Sequence, residues 1–336
     1  MKKTGKTIIW TLIITVLAVV LSLVAMTMGR YHISISQIFA LFFPTAFPNV
    51  EVNDTMRTVI LNVRLPRVLL ALIAGAGLSV SGAAFQALFS NPLATPDVLG
   101  VATAASFGAA LGILFGLPSM GIQILALIAG LIAVAIVWIA GSSGGRTSLI
   151  MIILSGMMVS AFFSAMVSLI KYTADPQDVL PSLTFWLMGS LSGTTSELLI
   201  LGTPFILIGI VILWLFRWKL NAMTLSEDEA TALGINVKLV RAVVIVSSTM
   251  ITAAVVSMCG LIGWVGLLIP HVSRMIFGNN NKYVIPASIG LGGVFMLVID
   301  TIARCLTSSE IPVSILTAVI GAPFFIVLMR KTGGIK

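Results

Sequence analysis

Residues 68–89 read Val-Leu-Leu-Ala-Leu-Ile-Ala-Gly-Ala-Gly-Leu-Ser-Val-Ser-Gly-Ala-Ala-Phe-Gln-Ala-Leu-Phe and contain no charged side chain. A helix that crosses the hydrocarbon core of a membrane needs roughly 20 consecutive, mostly apolar residues. The stretch has that length and therefore predicts a membrane-spanning helix. Small residues such as Gly77 and Gly82 let helix backbones approach closely in lipid. Their spacing is compatible with packing inside one bundle or with a dimer face.

The composition of the whole chain agrees with this prediction. Hydrophobic residues make up 58% and charged residues 9% of the 336 residues, and the mean hydropathy is +1.14. A soluble domain carries roughly 25% charged residues, so this chain has too few to cover a water-exposed surface. These values exclude a soluble enzyme, a disordered protein and a nucleic-acid-binding protein. We attribute the net charge of +8 to membrane topology.

Ten apolar runs along the chain are long enough to suggest spans. They cover residues 8–28, 68–89, 94–115, 119–140, 148–170, 197–216, 241–259, 261–277, 284–305 and 313–330. No long hydrophilic segment remains, so the sequence predicts an all-α, polytopic protein with a single domain over residues 1–336. We expect the eighth run to be short or broken, because the stretch 258–266 before and within it is rich in glycine. We interpret the first run as a retained helix, since it exceeds the roughly 7–15 apolar residues of a signal peptide.

The basic residues favour one orientation of these ten spans. With the N-terminus inside, the inner segments hold thirteen of the 19: Lys2, Lys3, Lys6, Arg146, Arg217, Lys219, Lys238, Arg241, Arg274, Lys282, Arg330, Lys331 and Lys336. The outer segments hold the other six: Arg30, Arg57, Arg64, Arg67, Lys171 and Arg304. The excess agrees with the positive-inside rule. We therefore predict that both termini are cytoplasmic.

Ionisable groups that could drive transport or catalysis are scarce inside the spans. Of the acidic residues, only Asp300 lies clearly within a run, and Arg304 four positions later would pair with it. A single paired carboxylate makes a poor proton relay. His32 and His271 have no neighbours at the spacing of metal ligands. We predict no catalytic residue, metal or cofactor on this chain, so transport would need energy supplied by another protein.

The longest inner segment contains a candidate contact site for such a protein. Residues 225–234 read Leu-Ser-Glu-Asp-Glu-Ala-Thr-Ala-Leu-Gly. Ser226 and Glu229 have the spacing of a capping box, and residues 227–229 place three acids in the first turn, where the helix dipole favours them. Gly234 stands at a C-cap position. The segment predicts a short helix outside the bilayer, which is either a rigid coupling element or an ordinary amphipathic connector.

Seven motifs occur in a specific order from Arg64 to Arg330. They are Arg64-Leu-Pro-Arg67, Gln86-Ala-Leu-Phe-Ser-Asn-Pro-Leu-Ala-Thr-Pro96 with Gly100, Phe185-Trp-Leu-Met-Gly-Ser-Leu191, the 225–234 segment, Gly260-Leu-Ile-Gly-Trp-Val-Gly-Leu-Leu-Ile-Pro-His271 with Arg274, Glu310-Ile-Pro-Val, and Gly321-Ala-Pro-Phe324. In this order and spacing they resemble the FecCD-type permeases of iron-complex and vitamin B12 ABC importers. Ser226, Trp264 and Ser314 depart from the residues common at their positions in that family.

The resemblance implies a type II ABC importer permease fold with ten spans. It also implies a second permease subunit, identical or not, two separate ATPase subunits and an extracytoplasmic substrate-binding protein. The residues that would form the coupling helix in a cleft of the ATPase are Leu225, Ser226, Glu227, Asp228, Glu229, Ala230, Leu233 and Gly234. Thr147 and Ser148 would lie near a cytoplasmic gate.

Three arginines at predicted outer helix ends oppose the positive-inside trend. Arg64 and Arg67 stand at the outer end of the second run, and Arg304 ends the ninth. The resemblance implies that they dock with carboxylates of the binding protein. The alternative is that they reach lipid headgroups, with Arg304 also pairing with Asp300.

The resemblance favours a ferric siderophore as the transported substrate and a bacterial or archaeal inner membrane as the location. Vitamin B12 and haem are alternative substrates within the same class. An ion-coupled secondary transporter or a channel is the alternative from another class. A neighbouring gene for an ATPase with Walker motifs, together with one for a binding protein, would separate these classes.

Overall fold

The computed structural model describes residues 2–143, 146–147, 149–307 and 309–331. Helices dominate this part of the chain. Its strands are β1 (Ser142–Ser143) and β2 (Arg146–Thr147), which pair antiparallel in a small hairpin. The prediction of an all-α fold is therefore confirmed, with this hairpin as a small addition.

Fifteen α-helices follow one another along the described residues. They are α1 (Lys2–Thr27), α2 (Ile35–Phe42), α3 (Asp54–Thr58), α4 (Leu65–Leu88), α5 (Val101–Leu114), α6 (Ser119–Gly141), α7 (Leu149–Thr173), α8 (Val179–Leu187), α9 (Ser196–Phe216), α10 (Lys219–Ala222), α11 (Glu227–Ala232), α12 (Val237–Cys259), α13 (Val265–Phe277), α14 (Asn281–Cys305) and α15 (Val313–Lys331). A π-helical segment, Val59–Arg64, joins α3 to α4.

Each of the ten apolar runs contains a helix. Seven helices of the described chain are long and apolar enough to cross a membrane, and one of these is continuous from Asp54 to Leu88. The remaining three runs correspond to shorter apolar helices: α5, α13 and residues 313–327 of α15. The chain is therefore a multi-pass membrane protein built as a helical bundle.

The third run is shorter as a helix than its sequence predicts. Residues 96–99 form a 3-10 turn, and α5 begins only after Gly100, whose φ is +73°. A helix of 14 residues is about 21 Å long, which is less than the roughly 30 Å hydrocarbon core. The prediction of a span over residues 94–115 is wrong in this respect, because apolar character alone did not reveal the turn at Pro96.

The break predicted before the eighth run is confirmed. The chain leaves the helical conformation at Gly260 (φ +70°) and resumes it only after Trp264 (φ +71°). A positive φ is unfavourable for a bulky side chain, so tertiary contacts must hold Trp264 in place. Its ring packs against Gly321 of α15, where an added Cβ atom would lie about 3.0 Å from the Trp264 side chain.

The helix α4, which contains most of the second apolar run, lies at the centre of the bundle. In the helix continuous with it, 83% of the most apolar segment is buried, against 17% for α1. An added Cβ atom on Gly82 would lie 1.8 Å from the carbonyl oxygen of Gly266 in α13, and one on Gly75 would lie 2.2 Å from that of Gly292 in α14. The small residues of α4 therefore serve packing inside this chain, which is the first of the two alternatives.

We call the helix ends that lie near α11 the α11 face, and those that lie near α8 the α8 face. On the α11 face, the Asn221 amide donates to the Asn280 side-chain oxygen at 3.0 Å, and so connects the segment after α9 to the start of α14. On the α8 face, the Ser190 N–H donates to the Cys259 carbonyl at 2.8 Å.

Candidate functional site

The 225–234 segment forms the short helix α11, as its sequence predicts. The Glu229 N–H donates to Ser226 Oγ at 3.3 Å, and the Ser226 N–H donates to the Glu229 carboxylate at 3.0 Å. These bonds form the predicted capping box. The Ser226 hydroxyl, 2.8 Å from the Glu229 carboxylate, and then the Ser226 N–H hold the pKa of the Glu229 carboxyl below its usual value. Gly234 has φ +77°, and its N–H donates to the Thr231 carbonyl at 2.9 Å. The predicted C-cap is therefore confirmed.

One side of α11 is attached to the body of the bundle. Ala230 is 1% exposed, and the Glu227 carboxylate lies 3.1 Å from Arg241 of α12. Ala230, Glu227 and Arg241 line a cleft of about 170 Å³. Its lining also includes Ser90, just beyond α4, and Leu149 at the start of α7. A displacement of α11 would therefore reach α12 directly and the ends of α4 and α7 across this cleft.

The other side of α11 faces away from the chain. Leu233 is 66% exposed, and the carboxylate-bearing Asp228 is exposed as well, whereas the half-exposed Leu225 still lines the cleft. Apolar side chains on a surface outside the bilayer are typical of a protein contact. The sequence placed Ala230 and Leu233 in one functional group, whereas the structure shows that Ala230 holds the helix to the bundle and Leu233 is available to a partner.

The two gate candidates, Thr147 and Ser148, come between α6 and α7 in the sequence. Thr147 belongs to β2 and pairs in register with Ser142 of β1. Ser148 lies outside the described residues. The role of this turn as a gate stays a prediction.

The three arginines at the α8 face are buried, with exposures of 4% for Arg64, 5% for Arg67 and 8% for Arg304. Arg64 donates to the carbonyls of Thr27 (3.1 Å) and Tyr31, and so caps the C-terminal end of α1. A cation at that end is favoured by the helix dipole.

Arg67 is the centre of a buried ion cluster. Its Nε and Nη2 atoms lie 2.9 Å from the carboxylate of Asp300, and its Nη1 lies 2.9 Å from that of Glu310. Asp300 has no exposed side-chain surface, while Glu310 keeps 34%. The predicted pair of Arg304 with Asp300 is present at 4.0 Å, and Arg304 also donates to the Ala25 carbonyl. The cluster joins α4, α14, α1 and the loop before α15.

These contacts require a correction to the expected arrangement of the arginines. We expected Arg64, Arg67 and Arg304 to meet carboxylates of a binding protein, yet their guanidinium groups are buried and already have partners within the chain. The expectation missed this because Asp300 and Glu310 are 233 and 243 positions from Arg67. The geometry argues for a structural role and against docking.

A cavity of about 410 Å³ opens on the α8 face. It lies beside α8 and the end of α12, and Trp186, Cys259 and Glu310 are part of its wall. Its other polar groups are hydroxyls: Ser119, Ser182, Ser190, Ser192 and Ser257. No local motif predicts this cavity directly, because its wall comes from elements that are distant in the sequence. The Phe185–Leu191 motif, which contributes Trp186 and Ser190, was the one available signal.

The α11 face and the α8 face carry different features. One face has an attached helix with an exposed apolar side, and the other has a hydroxyl-lined cavity. Among the described residues, no group of three or more His, Cys, Asp or Glu side chains could hold a metal ion.

Comparison with known proteins shows the family to which this chain belongs. The model of the FecCD transport family matches residues 14–331. The molybdate import system permease protein MolB of Haemophilus influenzae is 42% identical over 319 residues, which cover 95% of this chain and 94% of MolB. The "Probable iron chelatin transport system permease protein" of Helicobacter pylori strain 26695 is 36% identical, and the match covers 96% of this chain and 98% of that protein.

A solved structure has the same fold. It is described as "An inward-facing conformation of a putative metal-chelate type ABC transporter", and it matches with a TM-score of 0.86 and 39% identity over 96% of this chain and 98% of that one. The fold is thus that of an ABC importer permease. This chain belongs to the FecCD transport family.

Proposed function

We propose that this permease carries a metal-containing complex into the cytoplasm, with a ferric siderophore as the first candidate substrate. The iron chelatin permease relative and the metal-chelate type structure support this choice. Molybdate is the second candidate, because MolB shares 42% identity. The hydroxyl-lined cavity on the α8 face suits either substrate, since hydroxyl groups donate to the oxygen atoms of both.

We propose further that ATP hydrolysis occurs on partner chains that bind α11. The observation that carries this proposal is the division of α11 into an attached side, with Ala230 and Glu227, and a free side that ends in the exposed apolar side chain of Leu233. An ordinary connector does not need an exposed leucine at the end of a rigidly capped helix. A second permease subunit and a substrate-binding protein on the α8 face complete the proposed assembly.

This assignment also proposes an orientation in a bacterial or archaeal inner membrane. ATP is cytoplasmic, so the α11 face and both termini lie inside the cell. The distribution of basic residues favours the same orientation.

Cysteine labelling tests the orientation. In intact cells, an impermeant thiol reagent is expected to label Asn53→Cys and Asp178→Cys, but to label Asn280→Cys only after lysis. All three positions are exposed. The background needs Cys305→Ser, because the native Cys305 is exposed on the α8 face. Labelling of Asn280→Cys from outside would reverse the proposed orientation.

Substrate choice is tested on the proposed substrate-binding protein. Calorimetric titration with a ferric siderophore and with molybdate is expected to give tight binding for one of them, and uptake of that substrate is expected to stop when this permease is deleted. Binding of neither substrate would exclude both candidates while leaving the ABC importer class intact.

A further inference from the structure

We propose that the α11 face holds a binding site for one anionic glycerophospholipid. The site lies where the end of α9, the segment through α10 and the start of α14 meet. Its headgroup part is a basic–aromatic cluster formed by Arg217, Trp218, Lys219, Lys282 and Tyr283. Its acyl part is an adjoining groove between α1 and α14.

The cluster is ordered by contacts between cations and aromatic rings. Lys282 Nζ lies 4.6 Å from the ring centroid of Trp218 and 5.3 Å from that of Tyr283. The Arg217 guanidinium stacks on a neighbouring ring of α9 at 3.9 Å, and Lys219 Nζ lies 4.7 Å from another. Such contacts fix the cations without removing their charge.

Hydrogen bonds hold the two halves of the cluster together. The Asn221 amide donates to Asn280, and the Asn221 side-chain oxygen accepts from the Asn281 N–H at 2.8 Å. Because Asn221 belongs to α10 and Asn281 begins α14, Lys219 and Lys282 are held at the same end of the bundle.

The charge of the cluster is not neutralised by the described part of the chain. None of the four salt bridges found there includes Arg217, Lys219 or Lys282. Trp218 is 52% exposed, as is usual for tryptophans at the level of lipid headgroups. Unpaired cations beside interfacial tryptophans at the end of a span attract anionic headgroups.

The groove is the proposed binding site for part of an acyl chain of the lipid. Its volume is about 170 Å³, and its lining includes Thr11, Ile14, Tyr283, Pro286 and Gly290. Tyr283 belongs to both parts, since its ring contacts Lys282 and also lines the groove. A phosphate at Lys282 would therefore sit next to this groove between α1 and α14. A free phosphate ion would use the cluster and leave the groove empty.

Native mass spectrometry with phosphatidylglycerol tests the headgroup part. The triple variant Arg217→Gln, Lys219→Gln, Lys282→Gln is expected to bind the lipid about 100-fold more weakly, at about fivefold per removed charge. The matched control Arg30→Gln, Arg57→Gln, Lys171→Gln removes three charges at the α8 face and is expected to bind as the unmodified chain does. Unchanged binding in the first variant, or equal retention of phosphatidylcholine by the unmodified chain, would overturn the proposal.

The variant Thr15→Phe tests the acyl part, because Thr15 lines the groove and its side chain is exposed. It is expected to weaken binding of phosphatidylglycerol but not of the water-soluble headgroup glycerophosphoglycerol. An equal loss of both would overturn the assignment of the groove. Loss of ATPase assembly in the triple variant, with the bound lipid unchanged, would show instead that the cluster is a protein contact.

Discussion

Leu233→Asp is expected to abolish ATP-driven uptake while the permease still folds and inserts. Leu233 is 66% exposed beside the capped helix α11, so the change places a charge in the proposed contact with the ATPase and disturbs little within the chain. Loss of an apolar anchor at the centre of an interface costs about 2 kcal/mol or more, which is roughly a 30-fold loss of affinity. Co-purification of the ATPase subunits and substrate uptake measure the effect.

Two variants control this experiment. Leu233→Met keeps an apolar side chain of similar size and is expected to transport normally. Ala230→Arg forces a long charged side chain into the cleft beneath α11 and is expected to detach the helix from α12, with loss of uptake for a different reason. Normal transport with Ala230→Arg and Leu233→Asp combined would show that residues 225–234 are a passive connector.

Arg67→Leu is expected to destabilise the chain by about 3–5 kcal/mol, because it leaves the fully buried carboxylate of Asp300 without its main partner. Glu310→Gln removes the other ion pair of Arg67, but Glu310 is one-third exposed, so a loss of only about 1 kcal/mol or less is expected. Denaturation of the purified protein in detergent, with increasing SDS, measures both values.

The combined variant Arg67→Leu, Asp300→Leu isolates the cost of the unpaired charge. It is expected to recover part of the stability, because no fully buried carboxylate then lacks a partner, although Arg304 loses its ion pair with Asp300. If Arg67→Leu left stability unchanged and weakened only the association with the binding protein, the structural role assigned to Arg67 would be wrong and the docking role would return.

The features that sequence predicted well are local ones. The apolar length of residues 68–89 and the spacing of Ser226 and Glu229 each describe neighbours along the chain, and the structure confirms a helix and a capping box there. The break before α13 was predictable for the same reason, since glycines near Gly260 favour the backbone conformation that a helix excludes.

The features that sequence missed depend on distant contacts. Nothing near Arg67 indicates that Asp300 will lie beside it, so its position at a helix end suggested a free surface charge. The cavity beside Trp186 was missed because its serines come from separate elements. The opposite roles of Ala230 and Leu233 depend on which side of a short helix meets the bundle, and a helix of six residues has too little periodicity to show this.

In the proposed mechanism, an ATPase on partner chains drives this permease. The direct test places the permease, its ATPase subunits and the binding protein in proteoliposomes without an ion gradient. We expect the loaded substrate to accumulate only when ATP is present on the α11 side, and to stop accumulating with Leu233→Asp. Accumulation driven by a proton or sodium gradient in the absence of ATP would contradict the account and identify an ion-coupled secondary transporter.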